Sequence, residues 1–236
     1  MVINLVKMII SDLDGTLLNN DEDCIKREFV NKIRAFTDRG VIFAVNSGRS
    51  YVSLKNVLKE IENRTVFICN DGTQIMYKNC LLYKMGIDKS ILSGIKDKCA
   101  DLNIDFTLCL RDKNISGTEN GFIFEDVYKI ILDKSVCGVK KISKIKEFIK
   151  NLNVRICFED NKFLEICNKS ADKGKAAEYI KKRFGIENGV VAFGDGENDL
   201  PMFDNADTVY IVKSKNNIGY GAAKVISGAQ QFIIDM

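Results

Sequence analysis

The stretch Met8-Ile9-Ile10-Ser11-Asp12-Leu13-Asp14-Gly15-Thr16-Leu17-Leu18 decides the fold. Its apolar start predicts a short buried strand over residues 7–11. Two carboxylates one residue apart follow, and then a glycine that lets the chain turn sharply. Acid groups presented at the rim of a sheet suit chemistry better than packing.

Outward from this stretch, residues 24–39 carry the spacing of an amphipathic helix that ends near Gly40. Residues 41–45 read as a second strand, 50–62 as a helix and 66–69 as a third strand, so an α/β sheet with parallel strands is expected. After Asn70-Asp71-Gly72 the rhythm changes. A hairpin is expected at 74–77 and 81–84, helices near 88–101 and 141–150, and strands near 105–110, 121–125, 128–133, 154–159 and 163–167. That alternation predicts a small α+β module inserted at 78–168. The α/β rhythm returns with a helix at 173–184, strands at 190–193 and 208–212 with a short helix between them, and a closing helix from Asn217 onward.

The 236 residues are 46% hydrophobic and 28% charged, enough for one large or two small globular domains. Thirty-five basic residues are spread among 32 acidic ones, for a net charge of +3, which argues against nucleic acid as the main partner. The lysines between Lys140 and Lys150 are spaced as the wet face of a helix. Eight cysteines form no Cys-x-x-Cys pair, and no signal peptide is evident, so reduced thiols and a cytoplasmic protein are expected. No apolar run approaches the roughly 20 residues that span a bilayer, so no membrane partner is expected. The chain has no histidine, which excludes histidine-based nucleophile activation and histidine metal ligands. Acid–base work near neutral pH falls to carboxylates, lysine, tyrosine or cysteine.

Four segments at strand ends or helix starts carry polar residues with no evident packing role. They are Asp12-x-Asp14, Asn46-Ser47-Gly48-Arg49, Asp172-Lys173-Gly174-Lys175 and Gly194-Asp195-Gly196-Glu197-Asn198-Asp199. In an open parallel sheet the strand carboxyl ends share one edge, so these segments can converge. Aspartates brought that close repel by about 4 kcal/mol per pair at 4 Å with an effective dielectric near 20. A cation must then sit among them, and oxygen ligands beside a phosphate favour Mg²⁺.

In this order the four segments resemble the motifs of the haloacid-dehalogenase-like phosphohydrolases: DLDGTLL, the serine of NSGR, the lysine of DKGKA, and GDGENDLPM. The long interval between the second and third motifs places a cap there, as in the Cof-type branch (subfamily IIB). The resemblance implies an α/β fold, with a Rossmann-like parallel-sheet core at 1–77 and 169–236 and an α+β cap at 78–168. It further implies Asp12 as nucleophile, Asp14 as acid and base, and Ser47 and Lys173 as neutralisers of the phosphoryl oxygens. Gly48, Arg49 and Asn198 would bind phosphate or substrate. The implied metal ligands are the Asp12 side chain, the Asp14 backbone carbonyl, Asp195 and Asp199, holding Mg²⁺. Since dehalogenating relatives lack the second aspartate, Asp14 favours phosphoryl transfer.

The expected activity is therefore a Mg²⁺-dependent phosphatase that hydrolyses small phosphomonoesters, such as sugar phosphates, through an aspartyl-phosphate. The expected assembly is a monomer or weak homodimer. A phosphotransferase or phosphomutase would use the same chemistry with a sugar hydroxyl as acceptor. A non-catalytic sensor of phosphorylated metabolites would gain nothing from a nucleophile facing an anion.

The same residues also admit blander readings. Asp12-x-Asp14-Gly15 could be an ordinary turn. A calcium loop fails at its sixth position, Leu17, and its twelfth, Asp23. Gly194-x-Gly196-x-x-Asp199 ends in an acid that would repel a pyrophosphate, and Gly174-Lys175-Ala176 lacks the P-loop hydroxyl. Ser47 could cap the following helix, Lys173 could be a solvated helix residue, and Arg49 could pair with an acid or reach substrate. Asn70 and Asp71 read as turn formers. In the cap, Arg111, Glu125 and Asp126 are possible contacts to a leaving group. The short run after the fourth motif is similar to that of mannosyl-3-phosphoglycerate-phosphatase-like and sucrose-phosphatase-like members.

Overall fold

A computed structural model describes residues 6–18, 24–118, 126–213 and 219–236. The chain begins with β1 (Met8–Ser11), α1 (Arg27–Asp38), β2 (Ile42–Asn46), α2 (Tyr51–Val57), β3 (Thr65–Cys69), β4 (Gln74–Tyr77) and β5 (Cys80–Lys84). A middle portion holds α3 (Lys89–Asp101), β6 (Phe106–Cys109), β7 (Asn114–Ser116), β8 (Lys129–Asp133), α4 (Lys134–Cys137), α5 (Val139–Ile149), β9 (Val154–Glu159) and β10 (Phe163–Asn168). The chain closes with α6 (Lys173–Phe184), β11 (Val190–Gly194), α7 (Leu200–Phe203), β12 (Thr208–Val212), β13 (Lys224–Ile226) and α8 (Ala229–Asp235).

Two sheets result. The larger has the order β13-β12-β11-β1-β2-β3-β4-β5, parallel from β13 to β3 and antiparallel at β4 and β5. β1 is buried on both faces, which is why its sequence is a continuous apolar run. One face of the sheet, with Ile9, Phe43, Val45 and Phe67, packs against Phe29, Ile33 and Phe36 of α1, Leu54 of α2 and Ile233 of α8. The other, with Met8, Ile10, Ala44 and Val66, meets Ala176, Ala177 and Ile180 of α6 and Met202 and Phe203 of α7. The period of two along each strand divides these two cores. β1 is also the switch point of the sheet, because β2 follows on one side and β11 on the other. A crevice forms beyond the carboxyl ends of the strands at such a point.

The smaller sheet, β7-β6-β8-β10-β9, is antiparallel throughout. Leu108, Ile130, Leu132, Leu164 and Ile166 form one face, packed on Ile95 of α3 and Ile142, Ile145 and Ile149 of α5. The alternate residues Cys109, Lys129, Ile131 and Glu165 belong to the other face. An α/β core sheet and an α+β insert are thus both present.

The structure corrects several boundaries. The expected insertion point at residue 78 falls in the turn of a hairpin, and both its strands pair within the large sheet. The helix expected over 50–62 stops at Val57, and a 3-10 segment, Lys59–Arg64, continues it. The expected closing helix begins only at Ala229, after the edge strand β13. The strand expected at 121–125 lies outside the described residues. β7 and β13 have three residues each, too few for alternation to show. Among the described residues, no helix is long and apolar enough to cross a membrane.

Candidate active site

Asp12 follows the last residue of β1, and its backbone N–H donates to the Phe193 carbonyl on β11 (2.9 Å). Asp195 follows β11, and Asp199 ends the 3-10 turn Glu197–Asp199. Lys173 is the first residue of α6, which Asp172 caps by accepting from the Lys175 N–H. The Asn46 side chain, at the end of β2, donates to the Lys173 carbonyl (2.9 Å) and ties this helix start to the sheet. Residues from four separate segments of the sequence therefore share one edge.

The centre is ionic and buried. Lys173 Nζ lies 2.6 Å from Asp12 Oδ1 and 2.7 Å from Asp199 Oδ1. The second oxygen of Asp199 accepts from the backbone N–H groups of Asp195 and Gly196 at 3.0 and 3.1 Å. Burial alone would push the Lys173 pKa down, but the Asp12 and Asp199 carboxylates raise it above the ordinary lysine value and keep it charged. Burial pushes the Asp12 carboxyl up, and Asp199 and Asp195 reinforce this beyond what Lys173 offsets. Carboxylate oxygens of Asp12, Asp195 and Asp199 lie within 4.8 Å of one another. Three carboxylates against one ammonium leave net negative charge, and an all-oxygen donor set suits a hard cation such as Mg²⁺.

Gly15 keeps this arrangement possible. It turns the chain at φ +80°, and a Cβ there would come 2.5 Å from Asp195 Oδ2. A Gly15→Ala variant must adopt a left-handed backbone and displace a carboxylate, so it is expected to lose about 1–3 kcal/mol of stability. A urea melt reads that loss, and an unchanged midpoint would refute the close approach.

Around the centre, Arg49 holds Asp14 with two parallel bonds, Nε to Oδ2 at 2.9 Å and Nη2 to Oδ1 at 2.6 Å. Of the two readings open for Arg49, this is the acid pairing. Ser47 is buried, and its hydroxyl accepts from the Arg49 N–H (3.1 Å). It does not cap the next helix, because α2 begins at Tyr51 with Ser50 as its N-cap. Asp12, Asp14, Ser47, Gly48, Arg49 and Asn198 all line one cavity of about 480 Å³, and Lys173 and Asp199 lie behind its wall. Lys173 is 2% exposed, which rules out the solvated-helix reading.

The insert contributes residues the sequence did not single out. Lys129, on β8 and 3% exposed, donates from Nζ to the Gly48 carbonyl (2.6 Å) and to Glu165 Oε2 (2.5 Å). Burial opposes its charge, but Glu165 and Asp71 raise its pKa and keep it protonated. Asp71, read as a turn former, does adopt a left-handed conformation (φ 57°), yet its side chain is buried on the cavity wall. The available signal was a lysine and a glutamate inside the apolar runs Tyr128-Lys129-Ile130 and Leu164-Glu165-Ile166. The expected cap contacts lie elsewhere: Asp126 pairs with Lys84 (2.7 Å) and Arg111 with Asp112 (3.1 Å), and none of these lines the cavity. Glu125 lies outside the described residues.

The haloacid dehalogenase-like hydrolase family profile matches residues 9–123 and 119–231. A Bacillus subtilis 5-amino-6-(5-phospho-D-ribitylamino)uracil phosphatase is 27% identical, over 85% of this chain and 81% of its own length. A Persephonella marina glucosyl-3-phosphoglycerate/mannosyl-3-phosphoglycerate phosphatase is 22% identical, over 89% of this chain and 86% of its own. The crystal structure of a haloacid dehalogenase-like hydrolase from Bacteroides thetaiotaomicron superposes with a TM-score of 0.81 at 18% identity, covering 97% of this chain and 98% of that one.

Proposed function

This chain belongs to the haloacid dehalogenase-like hydrolase family, and from that premise we propose that it is a Mg²⁺-dependent phosphatase of small phosphomonoesters, sugar phosphates or related metabolites, acting through an aspartyl-phosphate. The observation that carries this reading is the Asp12 carboxylate, which lines the cavity beside Asp195 and is held from behind by the buried Lys173, itself bonded to Asp199. The phosphatase names of the relatives support it.

In the proposed reaction a carboxylate oxygen of Asp12 attacks phosphorus, and the bond from phosphorus to the alcohol oxygen breaks. Asp14 gives its proton to that oxygen, and the alcohol leaves. Asp14 then takes a proton from water as the water oxygen attacks phosphorus; the bond to Asp12 breaks, and inorganic phosphate is released. With no histidine in the chain, a carboxyl group is the natural carrier of this proton. The Arg49 pairing orients Asp14 between the two steps. The Ser47 hydroxyl donates a hydrogen bond to a phosphoryl oxygen, and the Lys173 ammonium, bonded to Asp12, adds positive charge beside the phosphoryl group. Asp12, Asp195, Asp199 and the Asp14 backbone carbonyl would hold Mg²⁺, which would supply positive charge between a carboxylate and a phosphate dianion.

The test is phosphate release from a broad panel of phosphomonoesters, with and without Mg²⁺. Chelation is expected to lower the rate at least about 100-fold, and added Mg²⁺ to restore it. No phosphate from any compound would end the phosphatase reading, and a rate indifferent to chelation would end the metal requirement. If a phosphorylated sugar appeared in place of inorganic phosphate, the acceptor would be an alcohol and not water.

A further inference from the structure

Three consecutive carbonyls of the loop after β2 are each met by a donor. The Ser47 carbonyl accepts from the Asp71 N–H (3.1 Å) and the Arg49 carbonyl from the Asn70 N–H (2.9 Å), both in the turn after β3. The middle carbonyl, that of Gly48, is reached from the insert, where Lys129 Nζ donates to it at 2.6 Å. This carbonyl and the Arg49 N–H belong to one peptide group, and a planar trans peptide points them in opposite directions. At its other end the Arg49 N–H donates to the Ser47 hydroxyl oxygen (3.1 Å). Because the hydroxyl accepts there, its own hydrogen is left to donate into the cavity that Ser47 lines. An ammonium on the carbonyl end polarises the peptide and strengthens the bond made by its N–H.

Lys129 is a demanding residue to bury. It is 3% exposed on β8, the middle strand of the smaller sheet, with Cys109 and Cys167 as its cross-strand neighbours. A buried ion pair can often be exchanged for apolar residues with no loss of stability, so the pair with Glu165 at 2.5 Å does not by itself account for a lysine here. Resting on the phosphatase reading, we infer that Lys129 is a positioning residue for phosphoryl transfer, which sets the direction of the Ser47 hydroxyl through the Gly48–Arg49 peptide. The Ser47 loop is then complete only with the insert seated on it. Lys129 acts on the phosphoryl half of the substrate and not on the alcohol, so its effect is the same for every ester.

Lys129→Met is expected to lower kcat/KM about 10-fold or more on both nitrophenyl phosphate and a sugar phosphate, as befits loss of a hydrogen bond from a charged group. Inhibition by inorganic phosphate, which has no leaving group, should weaken by a similar factor. Since the methionine leaves Glu165 without its partner, Lys129→Met/Glu165→Gln is measured beside it and should show the same loss with a melting temperature near that of the wild type. The decisive comparison is a double-mutant cycle with Ser47→Ala. Acting through the Ser47 hydroxyl, Lys129 should matter by less than about 2-fold once that hydroxyl is gone. An equal loss in the Ser47→Ala background, a loss on one ester only, a wild-type rate in the paired variant, or unfolding of both Lys129 variants would overturn the positioning role and leave the phosphatase intact. Release of phosphate by the wild type from neither ester would overturn the phosphatase reading and the inference with it.

Discussion

Replacement of Asp12 by asparagine is expected to reduce phosphate release by at least about 10⁴-fold while leaving the protein folded. The amide is isosteric but cannot form the acyl-phosphate bond, so it removes the covalent path and not merely one contact. Packing should survive. Lys173 keeps its 2.7 Å bond to Asp199, and one of three crowded carboxylates loses its charge. Since burial and its neighbours already disfavour the charged form of Asp12, neutralising it should hold or raise the melting temperature. Two measurements check this: phosphate release at saturating substrate, and acid-quenched phosphoprotein from labelled substrate. A variant within 10-fold of the wild type, or one that still traps phosphoprotein at the same level, would remove Asp12 from its proposed role.

Lys173→Met should be the most damaging substitution for stability. The methionine matches the lysine in length but leaves Asp12 and Asp199 without the ammonium that both contact. Breaking a buried ion pair by removing one partner costs about 3–5 kcal/mol, because the other charge stays buried. For a chain of this size that is a fall of about 10 °C in melting temperature. The sign of the pH dependence follows from the raised pKa of Lys173. Its stabilisation is fully present below the unfolded lysine pKa and is lost only as pH rises through the higher folded value, so the deficit should be undiminished at neutral pH. Added Mg²⁺ should recover part of the melting temperature, because a cation among the carboxylates substitutes for the missing charge, whereas phosphate release should stay at least about 100-fold depressed. A loss below 1 kcal/mol would contradict a buried, charged triad.

Much of the architecture was legible because its signals are local. β1, β2, β3 and β11 announce themselves as apolar runs, since strands buried on both faces admit little else. The segments at their ends stand out because Asp12, Asp195 and Asp199 have no packing reason to follow such runs. Where the signal was weak, the reading slipped. β5 was assigned to the insert because its half-buried residues carry no mark of the sheet they join, and the distinction rests on pairing with β4. Asp71 was read as a turn former, which its left-handed backbone confirms, but its place on the cavity wall depends on a strand about ninety residues further on.

By itself, the sequence determined the layered α/β core, the antiparallel insert and the four segments able to meet at one sheet edge. Strand burial, turn chemistry and the parallel-sheet rule act over a few residues or apply to every sheet of this kind. Only the tertiary structure decided which charge answers which: Lys173 between Asp12 and Asp199, Arg49 on Asp14, and Lys129 bridging Glu165 to the Gly48 carbonyl. Charge pairing carries no sequence periodicity. It depends on distances of 2.5 to 2.9 Å between side chains that packing alone brings together.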